Sequence, residues 1–108
     1  MTQSKSDICA MSGAEQATLI RSKQASPVEV TAAVLDRIHK LDPLLNAFCT
    51  LTEDIAIADA RRAEEAVMRG DELGPLHGVP ISIKDLIVTK GIRTMSGSKA
   101  YELSLIHI

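Results

Sequence analysis

The chain has 108 residues, 45% of them apolar but only one a tyrosine and one a phenylalanine, so any core is built from aliphatic side chains. Its 12 lysines and arginines against 14 aspartates and glutamates leave a net charge of -2 and no basic cluster, which argues against nucleic acid as the main ligand. No apolar run approaches the ~18 residues of a membrane helix, and the start lacks the apolar region of a secretory signal. We therefore expect a cytoplasmic, globular protein.

The two cysteines give no sign of a metal site or a disulfide framework. Cys9 and Cys49 lie far apart in the chain, and neither belongs to a Cys-x-x-Cys or Cys/His ligand pattern. We expect reduced thiols, no metal ion and no cofactor.

The first predicted helix begins at Ser12. Residues 1–11 are short and polar, and we expect a flexible start without an element there. Ser12 followed by Glu15 is typical of a capping box, which predicts a helix of about three turns that ends near Gln24.

A second start signal combines Ser26, Pro27 at the first helical position and Glu29. Apolar residues then recur every three or four positions, which predicts an amphipathic helix that stops at Asp42-Pro43. His39 lies off this stripe and is expected on the surface. The stripe consists of Val30, Ala33, Val34, Ile38 and Leu41.

Residues 46–51 form an apolar run that predicts a short buried strand with Phe48 in the core. A third helix is predicted from the acidic start after Thr52 to a left-handed cap at Gly70. Its charges, with Arg61 and Glu65 able to pair across one turn, indicate a solvated face rather than a binding site. With a last strand after residue 80, the predicted order is helix, helix, strand, helix, strand.

The most informative stretch runs from Gly74 to Ser98. Glycine and proline turns lead into the β-branched run at 81–84, which predicts a strand with Lys84 near its end. Alternation along a strand would put the lysine on the face opposite the two isoleucines of that run. A second turn is predicted at Lys90-Gly91. Taken alone, a lysine in a strand is usually a solvated edge residue.

The sequence Gly-Pro-Leu-His-Gly-Val-Pro-Ile-Ser-Ile-Lys-Asp at 74–85 resembles the lysine motif of the amidase signature family. Thr94, Gly97 and Ser98 match the later part of that motif, and the resemblance covers roughly residues 12–102. It implies an α/β fold: the amino-terminal part of an α/β/α layer with a central mixed sheet, in which helices dominate this portion. Residues 12–102 would then be an incomplete amidase domain after a flexible start.

The resemblance implies hydrolysis of carboxamide bonds by a Ser-cis-Ser-Lys triad, with Lys84 as the triad lysine and a small-molecule amide as substrate. Such a lysine must be neutral near pH 7, whereas an unperturbed lysine has a pKa of about 10.4. The family's Gly-Ser-Ser-Gly-Gly-Ser loop does not occur in this sequence, so we expect the chain by itself to be inactive. Ser82, Ser96 and Ser98 are expected to be structural rather than substitutes.

Other polar residues of the stretch have structural interpretations. His77 is expected to be a packed hydrogen-bonding residue rather than a proton shuttle. Asp85 could tune the lysine or accept bonds from nearby backbone N–H groups. Met95 stands where the family often has a small polar residue, which bears on the shape of the nearby pocket.

Two other interpretations stay open. The catalytic component of a tRNA-dependent amidotransferase belongs to the same family and has a similar lysine motif, with partner subunits bringing the tRNA and ammonia chemistry. A non-enzymatic helical interaction module would use the apolar stripe between Pro27 and Leu41 but leaves the motif unexplained. Whether the longer protein forms a homo-oligomer also stays open.

The last six residues, 103–108, are predicted to be a non-native tail. The codon string CTG-TCT-CTT-ATA-CAC-ATC resembles a transposon-end adapter of some sequencing libraries and encodes the same Leu-Ser-Leu-Ile-His-Ile. A native apolar strand is the alternative. Under the adapter interpretation His107 has no role.

Overall fold

The structure, a computed structural model, describes residues 5–87 and 89–93. In those residues the helices are α1 (Lys5–Ala10), α2 (Gly13–Arg21), α3 (Pro27–Leu45) and α4 (Glu53–Arg69). None of these described helices combines the length and apolar content that crossing a membrane requires. The described residues fall into two units: a helical unit of residues 5–45 and 52–80, and a second unit of residues 46–51, 81–87 and 89–93.

Helix α2 begins as its sequence predicts. The Glu15 backbone N–H donates to Ser12 Oγ, and the Ser12 N–H donates to Glu15 Oε1, both at 3.2 Å. This reciprocal capping box satisfies two N–H groups that a helix start otherwise leaves unpaired. The helix ends at Arg21, earlier than predicted, because Lys23 adopts a positive φ of 62° that a right-handed helix cannot contain.

Helix α3 also begins as predicted, since Ser26 Oγ accepts from the Glu29 N–H at 3.0 Å and Pro27 is the first helical residue. Its end differs from the prediction. The helix continues through Pro43 to Leu45, and Asn46, with φ of 50°, follows it. A proline in a last turn removes only the bond of its own nitrogen, so it does not stop this helix.

Helix α4 ends at Gly70, whose φ of 75° and N–H bonds to the carbonyls of Ala66 and Val67 confirm the predicted left-handed cap. Beyond the cap, the hydrogen bond and charge of Asp71 raise the pKa of the Arg69 guanidinium above its ordinary value. At the other end of the helix, exposed His39 of α3 lies 3.1 Å from Glu53 Oε1, which confirms the surface placement of that histidine.

The predicted Arg61–Glu65 ion pair is not formed among the described residues. Arg62 pairs with Asp59 instead, and both side chains of that pair are exposed. The charges of α4 thus form a solvated face, as predicted.

The core lies between α1, α2, α3 and α4. Ile20, Val30 and Ala33 are at most 1% exposed, so the first half of the predicted stripe is buried, whereas Leu41 at its far end is 38% exposed. The members of the core cluster are Ile8, Ile20, Ala25, Val30, Ala33 and Val67.

Helix α1 falls where the sequence indicates no element. Ile8 is only 2% exposed and packs in the core, which gives this short segment an apolar anchor. The buried side chain of Gln16 donates to the Ile8 carbonyl at 2.9 Å, and Cys9 Sγ lies 3.4 Å from the Ala33 carbonyl as its donor. These tertiary contacts, rather than a start signal, order residues 5–10.

The two predicted strands are absent from the described residues. Residues 46–51 and 81–84 are irregular, and Phe48, expected in the core, is 36% exposed. A strand needs a partner for its backbone groups, and the described part of the chain offers neither segment a ladder. Only an isolated antiparallel bridge, Thr89 with Ile92, is present there, and it confirms the predicted turn at Lys90-Gly91.

Candidate functional site

Residues 74–80, which precede the lysine, fold into two overlapping turns on the helical unit. The His77 N–H donates to the Gly74 carbonyl at 3.2 Å, and the Val79 N–H donates to the Leu76 carbonyl at 3.1 Å. This confirms the glycine and proline turns predicted from the sequence. We call residues 74–80 the approach segment.

Gly78 brings the backbone of the approach segment against α3. Its φ of 80° is a conformation that L side chains rarely adopt. A Cβ atom at this position would lie 2.8 Å from Pro27 Cγ and 3.2 Å from Ile20 Cδ1. Glycine is therefore required here both by the backbone conformation and by the space available.

Two side chains of the helical unit hydrogen-bond the approach segment to the helices. His77 Nε2 lies 2.9 Å from the carbonyl oxygen of Ala63 in α4, and Arg21 Nη2 of α2 donates to the Pro75 carbonyl at 3.0 Å. The prediction of His77 as a packed, hydrogen-bonding residue is confirmed. Sequence reasoning misses the role of Arg21, because no local pattern relates it to a proline so far along the chain.

Lys84 belongs to the second unit, and its side chain is exposed. The predicted placement at a strand end is wrong for the described structure: the Lys84 carbonyl accepts from the Ile87 N–H at 2.9 Å, so the lysine opens a turn. The predicted alternation fails too, since Ile81 and Ile83 are 77% and 50% exposed. Asp85 beside it is half-buried.

A second connection in the same unit comes from Arg93. Its Nη2 atom lies 3.5 Å from the Cys49 carbonyl and 3.4 Å from Thr50 Oγ1, so it links the 46–51 loop to the hairpin at 89–93. Its Nε atom is buried without a hydrogen-bond partner among the described residues. Nothing local in the sequence indicates this long-range contact.

The remaining residues of the predicted site lie outside the described residues: Thr94, Met95, Ser96, Gly97, Ser98 and the tail at 103–108. The structure thus describes one predicted catalytic residue, Lys84, and brings no second one to it. In the described part of the chain no group of His, Cys, Asp and Glu side chains is arranged to hold a metal ion.

Comparison with known families decides the assignment, since the profile of the family described as Amidase matches residues 29–105. The chain belongs to the amidase signature family. The match includes the whole of residues 74–85 with Lys84, so the resemblance seen in that motif is confirmed. It also extends over α3 and α4 and over the tail as far as residue 105.

Several relatives are named as the first of the subunits of glutamyl-tRNA(Gln) amidotransferase. The protein of Methylococcus capsulatus is 50% identical over 86 residues, which are 80% of this chain and 18% of the relative. That of Carboxydothermus hydrogenoformans is 41% identical over 92 residues, 85% of this chain and 19% of the relative. That of Streptomyces coelicolor is 43% identical over 97 residues, 90% of this chain and 20% of the relative.

This amidase chain therefore spans about a fifth of the length of these curated relatives. No solved structure matches it significantly. Relatives of this kind carry most of their length outside the matched region, and the activity of such a longer protein is a matter for proposal.

Proposed function

We propose that the longer protein to which this chain belongs cleaves carboxamide bonds with a Ser-cis-Ser-Lys triad, and that Lys84 is its lysine. The observation that carries the proposal is the family match over residues 29–105, which includes the lysine motif. The two serines and the oxyanion-binding N–H groups would come from a Gly-Ser-Ser-Gly-Gly-Ser loop, which the 108 residues do not contain. By itself the chain should not hydrolyse amides.

In the proposed reaction the neutral amine of Lys84 accepts a proton from the bridging serine, which accepts one from the nucleophilic serine. The nucleophilic oxygen forms a bond to the amide carbonyl carbon, and backbone N–H groups stabilise the oxyanion. The carbon–nitrogen bond then breaks, and the proton held by the lysine returns through the bridging serine to the leaving amine. Water releases the acyl group from the serine and restores the free enzyme.

The surroundings of Lys84 indicate what such a reaction would still need. The amine is exposed, and Ile81, Ile83 and Leu86 around it are at least 50% exposed. A lysine becomes a good base when its charged form is desolvated. We propose that the serine-bearing part of the protein covers these residues and completes the family's α/β/α sheet, because exposed β-branched residues and unpaired backbone favour strand addition.

Among amidase signature proteins, we favour the amide-hydrolysing component of an amidotransferase. The reason is that the relatives at 41–50% identity described above are all named as the same component of glutamyl-tRNA(Gln) amidotransferase. On this proposal the protein releases ammonia from a small amide donor, and partner subunits recognise the tRNA. A stand-alone amidase is the second candidate, since the lysine motif suits either.

The first experiment is to recover the native coding sequence after Glu102 and to purify the protein it encodes. We expect a Gly-Ser-Ser-Gly-Gly-Ser loop downstream and different residues in place of the tail at 103–108. Ammonia release from glutamine that rises when partner subunits and tRNA are added would support the amidotransferase component. Efficient hydrolysis of simple amides without partners would instead support the stand-alone amidase.

Two outcomes would contradict the proposal. Absence of any serine loop from the native frame would remove the triad and favour the helical interaction module. Native codons for residues 103–108 would show that the tail belongs to the protein.

A further inference from the structure

We infer that His77 and Arg21 are positioning residues for the reaction, because they fix the backbone of the approach segment that runs directly into Lys84. The inference rests on the proposed function, since it concerns the activity that depends on Lys84. Neither residue is expected to touch the substrate. Their effect would be to restrict the approach segment to one conformation on the helical unit.

The approach segment is poorly suited to hold itself in place. Pro75 and Pro80 have no N–H to donate, and Gly74 and Gly78 lose more conformational freedom on folding than other residues do. Its own backbone supplies only the two turn bonds, to the carbonyls of Gly74 and Leu76, in the described structure. Side chains from outside the segment must therefore supply further constraint.

The contact of His77 is geometrically specific. The carbonyl oxygen of Ala63 can only accept a hydrogen bond, so the Nε2 atom of His77 at 2.9 Å must carry the proton. The histidine is half-buried, and its bond joins the middle of the approach segment to the middle of α4. A side chain that places an N–H donor at the Nε2 position would preserve the bond, whereas one with its donor at the Nδ1 position would not reach.

The contact of Arg21 is independent of the first. Arg21 is the last residue of α2, and its guanidinium donates a charge-assisted bond to the Pro75 carbonyl at 3.0 Å. Pro75 lies two positions before His77, so the two bonds hold the start and the middle of the segment. Gly78 and Val79 then pack on the helices, Gly78 against Pro27 and Val79 beside the position of Gly13.

The test uses the longer, active protein with a pair of amide variants at one position. His77→Gln keeps a donor close to the Nε2 position, and His77→Asn moves it to the Nδ1 position. We expect His77→Asn to lower kcat by about ten- to a hundredfold with little change in KM, because small displacements of a reacting group cost about that much. His77→Gln should recover most of that loss.

A double variant shows whether the effect passes through the lysine. In a Lys84→Ala background, His77→Asn should have no further effect on the residual rate, because residues that act as a unit are not additive. Unchanged kcat in His77→Asn, or an equal loss in the Lys84→Ala background, would overturn the inference. If Lys84→Ala itself kept wild-type turnover, the proposed function would be the part that fails.

Arg21 gives a second test that does not depend on a half-buried residue. Arg21 is exposed, so Arg21→Ala should fold, and we expect it to lower kcat several-fold with KM unchanged. The matched control is Arg37→Ala, which removes an exposed arginine of α3 and should leave kcat as it is. Equal kcat values for the two alanine variants would contradict a positioning role for Arg21.

Discussion

Gly78 lies so close to Pro27 that a Cβ atom on the glycine would stand 2.8 Å from the Cγ atom of the proline. Pro27 is itself fully buried as the first residue of α3. The start signal of one helix and a motif glycine far along the chain therefore meet at one contact. This gives the glycine of the Gly-Pro-Leu-His-Gly sequence a physical reason that is separate from catalysis.

Three glycine-to-alanine variants should separate backbone strain from lack of space. Gly78→Ala combines a positive φ with a close contact, and we expect it to lower the free energy of unfolding by about 2–4 kcal/mol. Gly70→Ala has the positive φ but nothing within 4 Å, so it should cost about 1–2 kcal/mol. Gly74→Ala has neither feature and should be neutral or stabilising by up to about 1 kcal/mol.

Urea unfolding followed by far-ultraviolet circular dichroism measures the three differences. The order of the three variants is the critical result. A Gly78→Ala protein as stable as Gly74→Ala would show that the contact with Pro27 is not as close as described.

Local signals in the sequence predict the helices well because a helix satisfies its own backbone. Ser12, Ser26 and Gly70 each form the cap that their residue types indicate. The same reasoning misses α1, which has no start signal of its own and depends on burying Ile8. It also places the end of α3 too early, because a proline in the last turn is tolerated.

The cap residues offer a matched set of variants. Ser12→Ala and Ser26→Ala each remove a side-chain acceptor from a helix N–H, and each should cost about 1 kcal/mol of unfolding free energy. Thr52→Ala is the control, because the threonine before α4 makes no capping bond with its side chain, and it should cost little. A loss from Thr52→Ala as large as that from Ser26→Ala would contradict this account of the caps.

The candidate site is less accessible to sequence reasoning than the helices. The motif around Lys84 identifies the family, but the predicted strand at 81–84 needs a neighbouring strand that the described residues do not supply. The contacts of Arg21 with Pro75 and of Arg93 with Cys49 join residues far apart in the chain. No periodicity or cap signal reports such contacts, so only the structure reveals them.

Exposed apolar side chains predict that the 108-residue chain associates in solution. Leu44 and Leu45 at the end of α3 are 82% and 67% exposed, and burying such side chains is favourable by roughly 1.5–3 kcal/mol each. Sedimentation velocity should show concentration-dependent association. Replacing both leucines by glutamine should weaken it, whereas Ala32→Gln, at an exposed position of the same helix, should not. A wild-type chain that stays monomeric at all concentrations would refute this prediction.

The most direct test of the central proposal is the rate of amide hydrolysis by the longer protein after substitution of Lys84. We expect Lys84→Ala to lower kcat by about a thousandfold or more while the protein stays folded, because the exposed lysine adds nothing to the core. Lys84→Arg should be equally inactive, since a guanidinium remains charged and cannot accept the proton. Lys90→Ala, an exposed lysine in the neighbouring turn, should hydrolyse the amide at the wild-type rate. Near wild-type turnover by Lys84→Ala would contradict the assignment of this lysine to the triad.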